Sequence, residues 1–153
     1  GVVVVLVDPT GERTMFPDNG ANSGLKLSDL PELDGFNAVY ISGYSPLDPL
    51  SREGIKEMIA KIKAAGLTIY FDPASVGGMK DVDTQEIKSW LPQMDVLLLN
   101  EEEATYLTGL TDVEAALDQL LQTSTTVVIS VDHTALSQSR GANQLQFRRS
   151  RPK

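Results

Sequence analysis

Apolar residues recur along this chain in two rhythms. Val2–Val7 is an unbroken β-branched and aliphatic run, the pattern of a buried strand. Asp8-Pro9-Thr10-Gly11 follows with turn chemistry, so Arg13–Phe16 is expected to return as the second strand of a hairpin. Asn19–Gly24 reads as a loop, Leu25–Leu33 as a short helical stretch, and Asn37–Ser42 as a strand closing at Gly43. The second rhythm is clearest in Ser51–Ala65, where Ile55, Met58, Ile59 and Ile62 recur at helical spacing. Ser51 is placed to cap that helix and Gly66 to stop it.

The two rhythms then alternate. Leu67–Phe71 predicts a strand, Asp72–Asp83 a loop, and Thr84–Leu91 a helix ended by Pro92. Asp95–Leu99 predicts a strand, and Asn100–Leu107 a helix stopped at Gly109. Thr111 with Glu114 has the spacing of a capping box for one more helix. Thr126–Ile129 is the last strand. Strand and helix in alternation, with connections of this length, imply parallel strands. The expected fold class is α/β: a layered, mostly parallel sheet with an N-terminal β-hairpin.

Length and composition narrow the picture. A chain of 153 residues suits one domain. It has no cysteine, which excludes disulfides, thiolate metal sites and cysteine nucleophiles. No apolar run is long enough for a membrane span, and no basic segment precedes Val2 as in a signal peptide. The first residue is Gly1 and an apolar run begins at once, which reads as an internal cut with material upstream. The net charge of −8 is unevenly spread. Residues 1–130 hold 8 basic and 20 acidic side chains, whereas residues 131–153 hold 5 basic and one acidic. An acidic body argues against nucleic-acid binding, which needs clustered Lys and Arg.

Four segments in order carry a resemblance. They are Val7–Thr14 (VDPTGERT), Gly20-Ala21-Asn22, Ile41-Ser42-Gly43-Tyr44, and Asp95–Ala104 (DVLLLNEEEA) running on to Leu107-Thr108-Gly109. Together they resemble the ribokinase/PfkB family of carbohydrate kinases over residues 1–130. The last segment is the most specific, matching the family's strand-Asn-x-x-Glu-helix element. The resemblance implies a ribokinase-like sheet, here an incomplete domain, and transfer of the γ-phosphoryl group of ATP to a sugar hydroxyl. It implies ATP and Mg²⁺ as cofactors, small-molecule partners without nucleic acid or membrane, a cytoplasmic location, and room for a homodimer in the intact protein.

The residues themselves are compatible with those roles. Ligands of open α/β sheets bind outside the carboxyl ends of the strands, where Asn100 ends a strand and opens a helix. A helix N-terminus suits phosphate, and a carboxylate one turn in can hold Mg²⁺ through water. The resemblance implies that Asn100 lies near the nucleotide phosphates and that Glu103 holds the metal. The same spacing also makes a capping box that needs no ligand. For the sugar, the resemblance points to Gly43 and Tyr44, to Asp72 and to Val3. Ordinary alternatives stand beside these: a strand-end aromatic for Tyr44, a turn-starting Asp before proline for Asp72, and core packing for Val3. Trp90 is read as core.

Three family features are missing, the first an upstream Gly-Gly sugar-binding segment. No Gly-Ala-Gly-Asp motif, which would carry the catalytic base, occurs in the sequence. The strand at Val127–Ile129 leads into Ser130-Val131-Asp132-His133-Thr134-Ala135-Leu136 rather than a Gly-x-x-Gly-Ala turn. Regrouping the codons of Val131–Ser137, third base with the next two, permits that turn, so a frameshift is one origin of residues 131–153. An appended tail and a genuine basic arm are others. These residues are expected to form a disordered basic tail, with 136–153 off the core, since few large apolar residues remain to offset ordering. The chain is therefore expected to be inactive by itself; the alternative is a non-catalytic nucleotide- or sugar-binding module with a basic interaction tail.

Overall fold

The computed structural model describes residues 1–18, 20–131, 134–139 and 146–149. The chain opens with β1 (Val2–Val7) and β2 (Arg13–Asp18), paired antiparallel with Val4 opposite Phe16. Asp8 builds the turn between them, its Oδ1 accepting from the Thr10 and Glu12 N–H groups and the Thr10 hydroxyl. These contacts hold the Asp8 carboxyl below its ordinary range.

The main sheet follows as β3 (Ala38–Ser42), β4 (Thr68–Asp72), β5 (Val96–Asn100) and β6 (Thr126–Val131), adjacent in that order and parallel throughout. Between β3 and β4 come the short α1 (Tyr44–Leu47) and α2 (Arg52–Ala64). Between β4 and β5 come α3 (Val76–Met79) and α4 (Thr84–Trp90), and between β5 and β6 come α5 (Glu101–Thr108) and α6 (Val113–Leu120). The α/β class, the parallel order and the front hairpin are as the alternation predicts.

The sheet has two unlike faces because strand side chains alternate. Ile69, Phe71, Leu97, Leu99, Val127 and Ile129 point to one side and are buried. They form one core with Ile55, Met58, Ile59 and Ile62 of α2, Ala104 and Leu107 of α5, and Leu117 and Leu120 of α6. Each such aliphatic side chain contributes about 1.5–3 kcal/mol by leaving water. Trp90 belongs to this core, as expected. The alternate residues are far less covered: Tyr40 is 58% and Tyr70 38% exposed. No helix among the described residues is long and apolar enough to cross a membrane.

Several local expectations are corrected. Val2–Val7 is exposed at every position rather than buried, because a two-stranded ribbon has two faces and none of the described residues forms a layer on either. The stretch after Leu25 is only a 3-10 turn, Leu27–Asp29, and the loop after β4 contains α3. Ser51 stands at the N-cap position of α2 without capping it. Its buried hydroxyl donates to Asp48 and accepts from the Gly24 and Leu25 N–H groups, pinning the preceding loop to the helix. The cap of α6 is Asp112, whose carboxylate accepts from Ala115 N–H, and not Thr111. Gly66 and Gly109 stop their helices in the left-handed region, at φ 73° and 77°.

Part of the tail also differs from expectation. β7 (Thr134–Ser139) pairs antiparallel with β6, and β8 (Gln146–Arg149) pairs with β7. The exposed edge of β6 offers unpaired N–H and C=O groups, and backbone pairing to it needs no large apolar side chain. The expectation of disorder at 132–133, 140–145 and 150–153 lies outside the described residues.

Candidate active-site cleft

A cleft of about 320 Å³ opens at the carboxyl ends of β4, β5 and β6. Asp72, Ala74, Asn100, Glu103 and Ser130 line its polar part, and Leu98, Leu99 and Val128 its apolar floor. The parallel order puts these residues together. Three strands pointing the same way deliver their carboxyl ends, and with them the strand-to-helix turns after β4 and β5, to one end of the sheet.

Asn100 is the last residue of β5 and the N-cap of α5. Its Oδ1 accepts from Glu103 N–H at 2.8 Å, and its own N–H donates to Glu103 Oε2 at 2.9 Å. The capping box read as one alternative is therefore formed. It leaves the Asn100 side-chain NH₂ as the group able to donate to a ligand. Glu103 is 3% exposed. Burial, followed by the charges of Asp72 and Glu102, pushes its carboxyl above the ordinary range, against the hydrogen bonds from Asn100. A buried carboxylate raised by a second one nearby is a place where a cation is favourable.

Asp72 ends β4, and its side chain is held at both oxygens. Ala74 N–H donates to Oδ1 at 2.8 Å, and the Tyr40 hydroxyl donates to Oδ2 at 3.0 Å. Burial and then the bond to Asp72 push the Tyr40 hydroxyl above its ordinary range, with the charges of Asp72 and Glu103 adding. Ala74 reaches its position at φ 78°, and it is the non-glycine residue with positive φ among those described. Such a conformation costs roughly 1–2 kcal/mol and persists where the surroundings over-determine it.

The other sequence candidates sit elsewhere. Gly43 follows β3 and donates its N–H to the Asp72 carbonyl at 2.6 Å. A Cβ there would lie 2.3 Å from the Pro73 carbonyl oxygen, so this glycine is required by close backbone approach. Tyr44 opens α1 and is 60% exposed, and Val3 lies on the hairpin at 53% exposed; neither lines the cleft. Asp72, Asn100 and Glu103 are brought together. Tyr40 and Ala74 escaped the sequence reading. The signal for Tyr40 was its two-residue offset from Ser42, which pairs with Asp72 in the sheet and so sets Tyr40 on the same face. No sequence signal marks Ala74.

The donor set suits Mg²⁺, a hard cation usually held by one or two carboxylates with water and substrate phosphates completing its shell. Asp72 and Glu103 supply two carboxylates. Among the described residues no group of three or more metal-ligating side chains stands together, so a fully protein-made cage is not present there.

Comparison with known proteins agrees with the fold. The profile described as "pfkB family carbohydrate kinase" matches residues 1–149. Among solved structures, a probable sugar kinase from Rhizobium etli CFN 42 superposes with a TM-score of 0.81 at 17% identity, covering 98% of this chain and 46% of that one. A fructokinase double mutant from Vibrio cholerae O395, with fructose, ADP and potassium bound, gives 0.76 at 22% identity, covering 94% and 49%. A putative ribokinase II from E. coli, in complex with ATP and Mg²⁺, gives 0.75 at 22% identity, covering 94% and 48%. The chain thus spans about half the length of these structures. No curated protein matches the sequence.

Proposed function

The chain belongs to the pfkB family of carbohydrate kinases, and from that premise we propose that it is part of an ATP-dependent kinase phosphorylating a sugar hydroxyl. The observation that carries this reading is the convergence of Asp72, Asn100 and Glu103 on one cleft at the carboxyl end of the sheet. Asn100 offers its side-chain NH₂ to the nucleotide phosphates. Glu103 holds Mg²⁺ through water, and Asp72 adds the second negative charge. When bound, Mg²⁺ neutralises charge on the transferring phosphoryl group. Solved neighbours crystallised with ATP and Mg²⁺, or with fructose and ADP, support this choice of ligands. The acidic body of the chain speaks against a nucleic-acid partner.

Gly43, Tyr44 and Val3 remain candidates for sugar contacts in the intact protein, where additional chain would approach them. Within these 153 residues there is no Gly-Ala-Gly-Asp segment, the segment that the family resemblance expects to carry the base for the sugar hydroxyl. A general base alone is worth about 10²–10⁴-fold in rate. The 153-residue chain is therefore expected to bind Mg²⁺ and adenine nucleotide weakly and to show no sugar-dependent ATP turnover above background. A version carrying a family-type Gly-Ala-Gly-Asp segment and an upstream sugar-binding segment is expected to release ADP on addition of a sugar panel. A coupled ADP assay on both proteins tests this. Turnover by the short chain would show that the base lies inside it. Nucleotide binding with no turnover in the long version would favour a non-catalytic binding module.

A further inference from the structure

We propose that Tyr40 is a positioning residue that aims the Asp72 carboxylate into the cleft. The inference deepens the proposed function and rests on the cleft being a cation and phosphate site. Tyr40 lies on β3, one strand away from Asp72, on the less covered face of the sheet. Its ring spans that gap and brings the hydroxyl 3.0 Å from Oδ2, while Ala74 N–H holds Oδ1 at 2.8 Å. Asp72 therefore receives one donor on each oxygen. An ionised carboxylate has about four lone-pair sites, so two donors fix its plane and leave capacity for a metal-bound water.

The remaining contacts make the clamp rigid on one side and adjustable on the other. The Asp72 carbonyl is tied to Gly43 N–H at 2.6 Å, and the turn to Ala74 adopts a conformation at φ 78° unusual for alanine. Both fix the backbone around Asp72. Among the described residues, Tyr40 is the one that fixes Oδ2 from outside that turn. The charge of Asp72 is felt at Glu103, so a rotation of the Asp72 carboxylate changes the field at the second carboxylate too. Tyr70, paired with Tyr40 across the sheet on the same face, makes no side-chain hydrogen bond to Asp72 and serves as the comparison residue.

The test is Mn²⁺ titration of the 153-residue chain, followed by electron paramagnetic resonance of the free ion. It compares the unaltered chain with Tyr40→Phe, Tyr70→Phe, Asp72→Asn, Glu103→Gln and the Tyr40→Phe/Asp72→Asn double variant. Tyr40→Phe is expected to weaken Mn²⁺ by about tenfold, the low end for loss of a group that orients a metal ligand. Tyr70→Phe is expected to stay within about twofold of the unaltered chain, since it removes no bond to the cleft. In the double variant Tyr40→Phe should add nothing to the Asp72→Asn loss, because it acts only through Asp72. Addition of Mg²⁺ should also give a tyrosine ultraviolet difference band that Tyr40→Phe abolishes. Mn²⁺ affinity retained in Tyr40→Phe while Asp72→Asn and Glu103→Gln lose it overturns the role of Tyr40 and leaves the cleft reading intact. An additional loss in the double variant also overturns it. Affinity unchanged in Asp72→Asn and Glu103→Gln, or no Mn²⁺ binding to the unaltered chain, overturns both readings.

Discussion

Glu103→Gln separates the two roles open to this residue. The change is nearly isosteric, and the new amide oxygen can still accept the Asn100 N–H now received by Oε2 at 2.9 Å. The reciprocal bond from Glu103 N–H to Asn100 Oδ1 is untouched. What is lost is the charge. A hydrogen bond to a charged group contributes about 1.5–3 kcal/mol and a neutral one about 0.5–1.5, a loss of about 1 kcal/mol. Against it stands the cost of ionising a carboxyl that is 3% exposed and beside Asp72. The two effects oppose each other, so stability at pH 7 should change by less than about 1 kcal/mol.

The sign with pH follows from the raised pKa. The folded state binds this proton more tightly than the unfolded chain, whose Glu titrates near the ordinary 4.5. Its contribution to stability is fully present below that value and is lost as pH rises through the folded pKa. Glu103→Gln should therefore gain stability relative to the unaltered chain as pH rises from 4 toward 8. Cation affinity should respond much more. Unit charges about 6 Å apart at an effective dielectric of about 20 interact by roughly 3 kcal/mol, and half of that is already a tenfold loss of Mn²⁺ affinity. Urea denaturation at several pH values and Mn²⁺ titration of the same variant give both quantities. A stability loss above about 2 kcal/mol with Mn²⁺ affinity unchanged would mean that Glu103 is a helix cap and nothing more.

Two further predictions concern the backbone around the cleft. Gly43→Ala forces a Cβ to within 2.3 Å of the Pro73 carbonyl oxygen, and should cost about 3 kcal/mol or more in urea denaturation; a loss below about 1 kcal/mol would mean that the β3 and β4 ends part easily. Ala74→Gly removes left-handed strain of about 1–2 kcal/mol at an entropic cost of about 0.5–1 kcal/mol, so it should be neutral to slightly stabilising. A loss above about 1 kcal/mol there would show that the alanine methyl packs usefully in the cleft wall.

Much of the fold was legible because its signals are local. Ile55, Met58, Ile59 and Ile62 mark one helix face by spacing alone, and all four are buried. Gly66 and Gly109 mark helix ends because a left-handed residue is needed there. Where two local solutions were nearly equal, the reading failed: Thr111 and Asp112 are both good caps, and the chain uses Asp112. Ser51 had a helix start in front of it and a loop behind it, and its hydroxyl went to the loop. Val2–Val7 reads as buried because apolar continuity reports what a strand can bury, whereas burial needs another layer, and among the described residues none covers β1.

The candidate site divides along the same line. Asn100 and Glu103 are three residues apart, so their reciprocal bonds were implicit in the sequence together with the alternative of a metal role. Asp72 was visible as a turn-starting carboxylate before a proline, which the family resemblance pointed to as a sugar-site candidate, with nothing to join it to Asn100 and Glu103. What joined it to Asn100 and Glu103 was the parallel order β3-β4-β5-β6, which brings strand ends 28 residues apart in sequence to one edge of the sheet. The Tyr40 hydroxyl on Asp72 depends on that register too, through the pairing of Ser42 with Asp72. Sequence alone determined the alternating elements from β3 to β6 in their order, the capping box at Asn100 and the family, since each rests on residues close together or on segments in fixed order. Tertiary structure decided which strand ends meet, which carboxylates share a field and which glycine is sterically required. Those depend on distances between residues far apart in the chain, set by how the strands pair and which face the helices cover.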